Sequence, residues 1–172
     1  MTYQVSTSSF DLAVPNDLVF IQHTQGITQT LTVGNKVQLN TSTTKYGTWT
    51  PTITSDVITL PSGYFYYIES SAQFYYESAG SHGANMYTTQ QHYDETNTQY
   101  VGVAGTCFSS QGEDLQLFSR DEKAKTFIDC TSTGIDISLK ITANLTHNYV
   151  NYTSGHYLYS GLGRTIIWRL NS

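Results

Sequence analysis

Charged residues are scarce in this chain, at 12% of 172, and cysteine, methionine and tryptophan occur twice each, proline three times. Each shortage closes off a class of protein. A net charge of −5 with scattered Lys and Arg excludes a nucleic-acid partner, because holding a phosphate backbone takes clustered positive charge. No apolar run is long enough to cross a bilayer, so no membrane partner is expected. Met1-Thr2-Tyr3-Gln4-Val5-Ser6 has neither the basic start nor the apolar core of a signal peptide, so synthesis in a cytoplasm without export is expected. Cys107 and Cys130 are not spaced as metal ligands and are too few for a secreted disulfide framework; buried thiols are expected, with a single bridge as the alternative. Sequons at Asn40, Asn144 and Asn151 are read as accidents of a threonine-rich chain.

The signatures of catalysis are missing too. His23, His82, His92, His147 and His156 include no His-x-His pair and no i, i+4 pair, which argues against a metalloenzyme. His82 and His92 fall in or beside expected loops and are read as surface histidines. Gly80-Ser81-His82-Gly83 lacks the framing of a nucleophile elbow. Glu69, Asp94, Glu95, Glu113, Asp114 and Asp129 could pair as a glycosidase dyad, and Asp94, Glu95 and Asn97 could offer oxygens to calcium, but acids in turns are usually solvated turn residues. No enzyme, cofactor or metal is expected.

What the chain does have is tyrosine, 14 of them, with 7 phenylalanines and many threonines. That composition favours strands over helices, and no amphipathic helix of three turns can be found. Eight to ten short strands with regularly spaced turns predict one domain, an all-β sandwich over residues 17–172, behind a polar N-terminal arm over 1–16. Phe10, Leu12 and Val14 form a small apolar stripe on the arm, which is expected to dock on something. Asp17 to His23 reads as a strand buried on both faces, and Thr41 to Thr48 as a polar loop outside the core. Ala84 to Tyr93 and Tyr100 to Thr106 read as a strand pair, as do Lys125 to Thr131 and Ile135 to Ala143. In the last of these, Ile135, Ile137, Leu139 and Ile141 share one parity.

The stretch from Asp56 to Tyr75 organises the rest. Val57 to Leu60 is a short strand, Pro61-Ser62-Gly63 a turn, and Tyr64 onward a long strand whose Tyr64, Phe65, Tyr66, Tyr67 and Ile68 place large side chains on both faces. One sheet of a small β protein covers only one face, so a second subunit is expected over the other. Past Ile68, Ala72 and Phe74 alternate with Glu69, Ser71 and Gln73.

The short strand, the Pro-Ser-Gly turn and the aromatic strand resemble the central strand of the trimeric jelly rolls of the tumour necrosis factor and complement globular-head superfamily. That superfamily includes many phage fibre and capsid-surface domains. The resemblance covers about a quarter of the chain well, the rest through strand order and the last strand, Arg164 to Leu170. It implies a jelly roll, a homotrimer, and Tyr64, Tyr66, Ile68 and Trp168 at a subunit interface near the three-fold axis. Two functions follow as expectations. One is a phage capsid decoration (cement) protein, made in the host cytoplasm and carried on the virion surface, its arm anchored to the major capsid protein lattice. The other is the receptor-binding tip of a tail or head fibre that holds a host-surface glycan through Tyr149, Tyr152 and Tyr157, with Tyr87, Tyr93, Tyr100 and Tyr159 as further candidates for stacking on sugar rings. A fibre tip normally follows a long shaft, whereas Met1 lies close to the first strand here; that favours decoration.

Overall fold

A computed structural model of the chain describes residues 17–23, 32–71, 74–78, 84–111, 117–148, 154–158 and 163–171. The arm with Phe10, Leu12 and Val14 lies outside these residues, as do His82, Tyr149, Tyr152 and Tyr159.

Thirteen strands form among the described residues: β1 Asp17–His23, β2 Leu39–Tyr46, β3 Thr52–Thr54, β4 Val57–Leu60, β5 Tyr64–Ser71, β6 Phe74–Ser78, β7 Ala84–Asp94, β8 Gln99–Gln111, β9 Leu117–Asp121, β10 Ala124–Asp129, β11 Ile135–Asn148, β12 Ser154–Leu158 and β13 Arg164–Asn171. They pair antiparallel. One layer runs β2-β1-β13-β5-β10 and the other β8-β7-β11-β4-β3, with β9 beside β8 and a separate β6-β12 ribbon. The layers join where Lys125 on β10 meets Val103 on β8. The first and last strands lie side by side, and β13 continues the layer to β5. This all-β, folded-over antiparallel arrangement has the strand order of a jelly roll.

The core gathers Val19 and Ile21 of β1, Tyr66 and Ile68 of β5, Ile128 of β10 and Ile167 of β13 from one layer, with Ile58, Leu60 and Ile137 from the other. Alternation explains the choice: these are the inward parity of each strand, and Ile137, Leu139 and Ile141 on β11 are buried as their shared parity predicts. The closure depends on two glycines. Gly102 has φ +71, and a Cβ there would lie 2.1 Å from the Lys125 carbonyl oxygen. At Gly105 a Cβ would lie 2.3 Å from the Ala124 nitrogen. β8 can approach β10 this closely only without side chains.

Three expectations are corrected. The strands around Cys130 do not form a hairpin: β10 pairs β5 and β8, whereas β11 pairs β4 and β7. Cys130 donates its N–H to the Tyr64 carbonyl and accepts from the Gly63 N–H, which carries the chain over from one layer toward the other. The threonine-rich run taken for a loop is β2, an edge strand on β1, because β-branched side chains suit a pleated edge. β1 is buried by its own chain on one face only; Phe20, on the other, is 36% exposed.

Candidate functional site

Because cross-strand partners share a face, the register defines the outward surface of the β2-β1-β13-β5-β10 layer. Tyr46, Leu18, Trp168, Tyr67 and Phe127 lie directly opposite one another across its five strands. Phe20, Ile166, Glu69 and Lys125 form the row beside it on β1, β13, β5 and β10, and Leu170, Phe65 and Asp129 a third. Tyr67 lies against Trp168 at 5.2 Å between centroids, and Phe65 stacks on Phe127 at 5.6 Å. These contacts leave much of the surface open: Tyr46 is 73% exposed and Phe127 60%. Val103, where the other layer begins, is 68% exposed. Covering the open part of Phe127 alone, ~120 Å² of ring, would contribute about 3 kcal/mol.

Charge lies at the margins of this face. Glu69 accepts a hydrogen bond from Lys123, and Asp129 is kept below the usual carboxylate range by hydrogen bonds from the Thr131 hydroxyl and N–H. The central row carries no charged residue. An apolar row five strands wide with acids and bases beside it is suited to holding another protein surface rather than to bond-making chemistry.

The expected interface set is divided by this geometry. Tyr66 and Ile68 are fully enclosed within their own chain, so no second copy can touch them. Tyr64 shares their inward parity; its ring lies at 6.3 Å from Tyr66 and under the Arg169 guanidinium at 4.2 Å. Tyr66 instead donates its hydroxyl to the Pro61 carbonyl, and burial raises the pKa of that hydroxyl. Trp168 alone of the four faces outward. The outward members that sequence reasoning missed are Phe65 and Tyr67, together with Leu18, Phe20, Tyr46 and Phe127. Glu69 was the available signal, since it shares parity with Phe65 and Tyr67 and a lone carboxylate does not belong to a core face.

Other candidates have structural partners. Both carboxylate oxygens of Asp94 hold Asn97, through its N–H at 2.9 Å and its side-chain amide at 2.8 Å. Glu95 accepts from Ser138 at 2.7 Å and pairs with Lys140 at 3.1 Å and Lys36 at 3.5 Å. Burial opposes its ionisation, but these partners outweigh burial and lower its pKa. Among the described residues no group of three or more His, Cys, Asp or Glu could hold a metal ion. Tyr93 and Tyr100 meet edge to face at 5.0 Å, with the Lys140 ammonium 3.3 Å above Tyr93. Tyr157 is placed on β12 opposite Tyr75. His92 is not a surface residue; it is buried on β7.

No protein-family model matches the chain, and no curated protein matches it. Among solved structures it is similar to Eiger TNF from S. frugiperda, with a TM-score of 0.45 and 12% identity, over 92% of this chain and 94% of that one.

Proposed function

We propose that this chain is a structural, self-associating protein: a homotrimeric decoration (cement) protein on the exterior of a phage capsid. The observation that carries the self-association is the aromatic row Tyr46, Leu18, Trp168, Tyr67 and Phe127, exposed at Tyr46 and Phe127 and half-buried between them in the single chain. A second copy is the fitting cover, because the row is apolar along its whole length and repeats the aromatic chemistry of subunit contacts. The capsid assignment draws on the resemblance to phage surface domains and on the apolar stripe of Phe10, Leu12 and Val14. Three arms per trimer would hold a repeating lattice of major capsid protein by many weak contacts whose effects multiply.

The test is light scattering of the full chain beside a Phe127→Ser, Trp168→Ser double variant, followed by co-sedimentation with undecorated capsids and a glycan array. The expected result is a wild-type trimer at micromolar concentration, a folded monomeric variant, and wild-type binding to capsids. A monomeric wild type, or a variant that stays trimeric, would remove the sheet face from the argument. A trimer that ignores capsids and binds sugars would replace decoration with receptor binding at a fibre tip.

A further inference from the structure

The core has two halves of different chemistry. Toward Trp49 and Tyr66 it is apolar, but at the His23 end of β1 the inward positions are polar: His23, Ser70, Thr88, Gln90, His92 and Thr165 are all buried. Four of them form a chain across the interior. His23 Nε2 lies 3.0 Å from Thr165 Oγ1, Thr165 Oγ1 lies 2.8 Å from Ser70 Oγ, and Ser70 Oγ lies 2.9 Å from His92 Nε2. The last contact ties β5 in one layer to β7 in the other.

Counting hydrogens sets the protonation of this chain. Its three bonds require three hydrogens, and the two hydroxyls supply two. One imidazole therefore donates from Nε2 while the other accepts there; the accepting ring is neutral, and burial without a counter-charge keeps the donating ring neutral too, in the opposite tautomer. Among the described residues the Nδ1 atoms of both rings have no hydrogen-bond partner. An added proton consequently creates a donor with nowhere to go. On the ring whose Nδ1 is bare, it produces an unpartnered Nδ1–H. On the other, it places a fourth hydrogen in a three-bond chain. Either way a buried charge appears beside an unsatisfied donor.

Nothing near the chain would neutralise that charge among the described residues. Asp94 shares the inward parity of His92 on β7 but gives both oxygens to Asn97. Asp17, on β1, is held by Arg169. On β5, Glu69 has the opposite parity to Ser70 and bonds Lys123; on β11, Lys140 lies between Glu95 and Tyr93. On β13, Arg164 is exposed, and beside it Gly163 packs against His23 so that a Cβ there would lie 2.4 Å from Nδ1. Across β8 and β10 the buried positions at this end are Cys107, Ala124 and Thr126, none of them an acid or a base of ordinary charge.

We infer that the His23–Thr165–Ser70–His92 chain is a proton-sensitive latch, which locks the two layers at this end while both rings are neutral and loses its hold as acid favours the separated layers, where the rings can take up protons. The direction of titration agrees. Burial lowers both rings to about 3, and repulsion from a protonated His92 would add to the effect at His23. Groups whose folded pKa is depressed in this way are stabilising while neutral. That stability is complete above the unfolded value of about 6.5 and is lost as pH falls toward the folded value. Each ring should lower the folding constant about tenfold per pH unit below 6.5, and the two together about a hundredfold.

The experiment is urea unfolding of the full chain at fixed concentration and at several pH values from 7.5 to 4.5, followed by tryptophan fluorescence and far-UV circular dichroism. It is run beside His23→Gln and His92→Gln, with nuclear magnetic resonance of the histidine ring carbons in the folded wild type. The expected result is the hundredfold fall per unit in the wild type, about tenfold in each variant, and both rings neutral at pH 4.5. Equal slopes in wild type and variants would overturn the latch. If the variants do not fold, the resonance titration decides alone, and either ring titrating near 6.5 in the folded protein would overturn it.

Discussion

Replacing Asp17 by asparagine should cost about 3 kcal/mol, near the lower end for breaking a buried ion pair from one side. Asp17 is 1% exposed at the start of β1. Its Oδ1 accepts from the N–H groups of Thr48 and, at 2.7 Å, Trp49, and its Oδ2 from Arg169 Nε at 2.7 Å and from Arg169 Nη2. The clasp joins β1, β13 and the segment after β2. Burial works against the ionised carboxyl, but the hydrogen bonds from Trp49, Arg169 and Thr48 and the charge of Arg169 together hold it below its ordinary range. Its contribution is therefore present above that range and is lost as pH falls through the depressed value. Asparagine keeps an oxygen for the two backbone donors but turns N–H groups toward the guanidinium, which is left without a counter-charge beside Tyr64 and Trp49. With an m-value of about 2 kcal/mol/M, the urea midpoint should fall by about 1.5 M. Adding Arg169→Met removes the stranded charge and should recover all but about 1 kcal/mol, a coupling that only paired residues produce. A loss below about 1 kcal/mol in Asp17→Asn, or a double variant equal to the sum of the singles, would refute the clasp.

Gly105→Ala should destabilise by about 2–3 kcal/mol, because the new methyl would meet the Ala124 nitrogen and the Glu122 carbonyl oxygen, each 2.3 Å from the Cβ position, and both are backbone. Gly34→Ala serves as the comparison: nothing lies within 4 Å and only its φ of +91 is strained, so about 1 kcal/mol is expected. Thermal melts would show this difference, and equal losses would count against the close β8–β10 approach. Cys130 should resist alkylation at pH 8 until the protein is unfolded, since burial pushes its thiol up to about 11. Labelling of that thiol in folded protein within minutes would contradict its enclosure.

Local pattern was enough for the strand class and for many boundaries. Asp17–His23, Val57–Leu60 and the start of β5 at Tyr64 were legible from β-branched and aromatic runs between turn residues, and the buried stripe of β11 from its alternation. The outward surface was legible only in part. The aromatics on the two faces of β5 give no parity signal by themselves, so apart from the hint of Glu69 Tyr66 and Phe65 look equally suited to core and surface, and the second layer decides between them. Strand partners are likewise set by contacts distant in sequence. β10 and β11 are neighbours in the chain yet belong to different layers, because the segment around Cys130 bonds back to Gly63 and Tyr64 rather than closing a hairpin. No residue beside His92 in the sequence marks it as core; its burial follows from Ser70 and Thr165, brought to it from two other strands. Composition and alternation thus determined that this chain is a β protein with more aromatic surface than one core can use. Which aromatics remain outside, and where the two histidines meet, depended on the packing of one layer over the other, since burial is a property of what covers a strand and not of the strand itself.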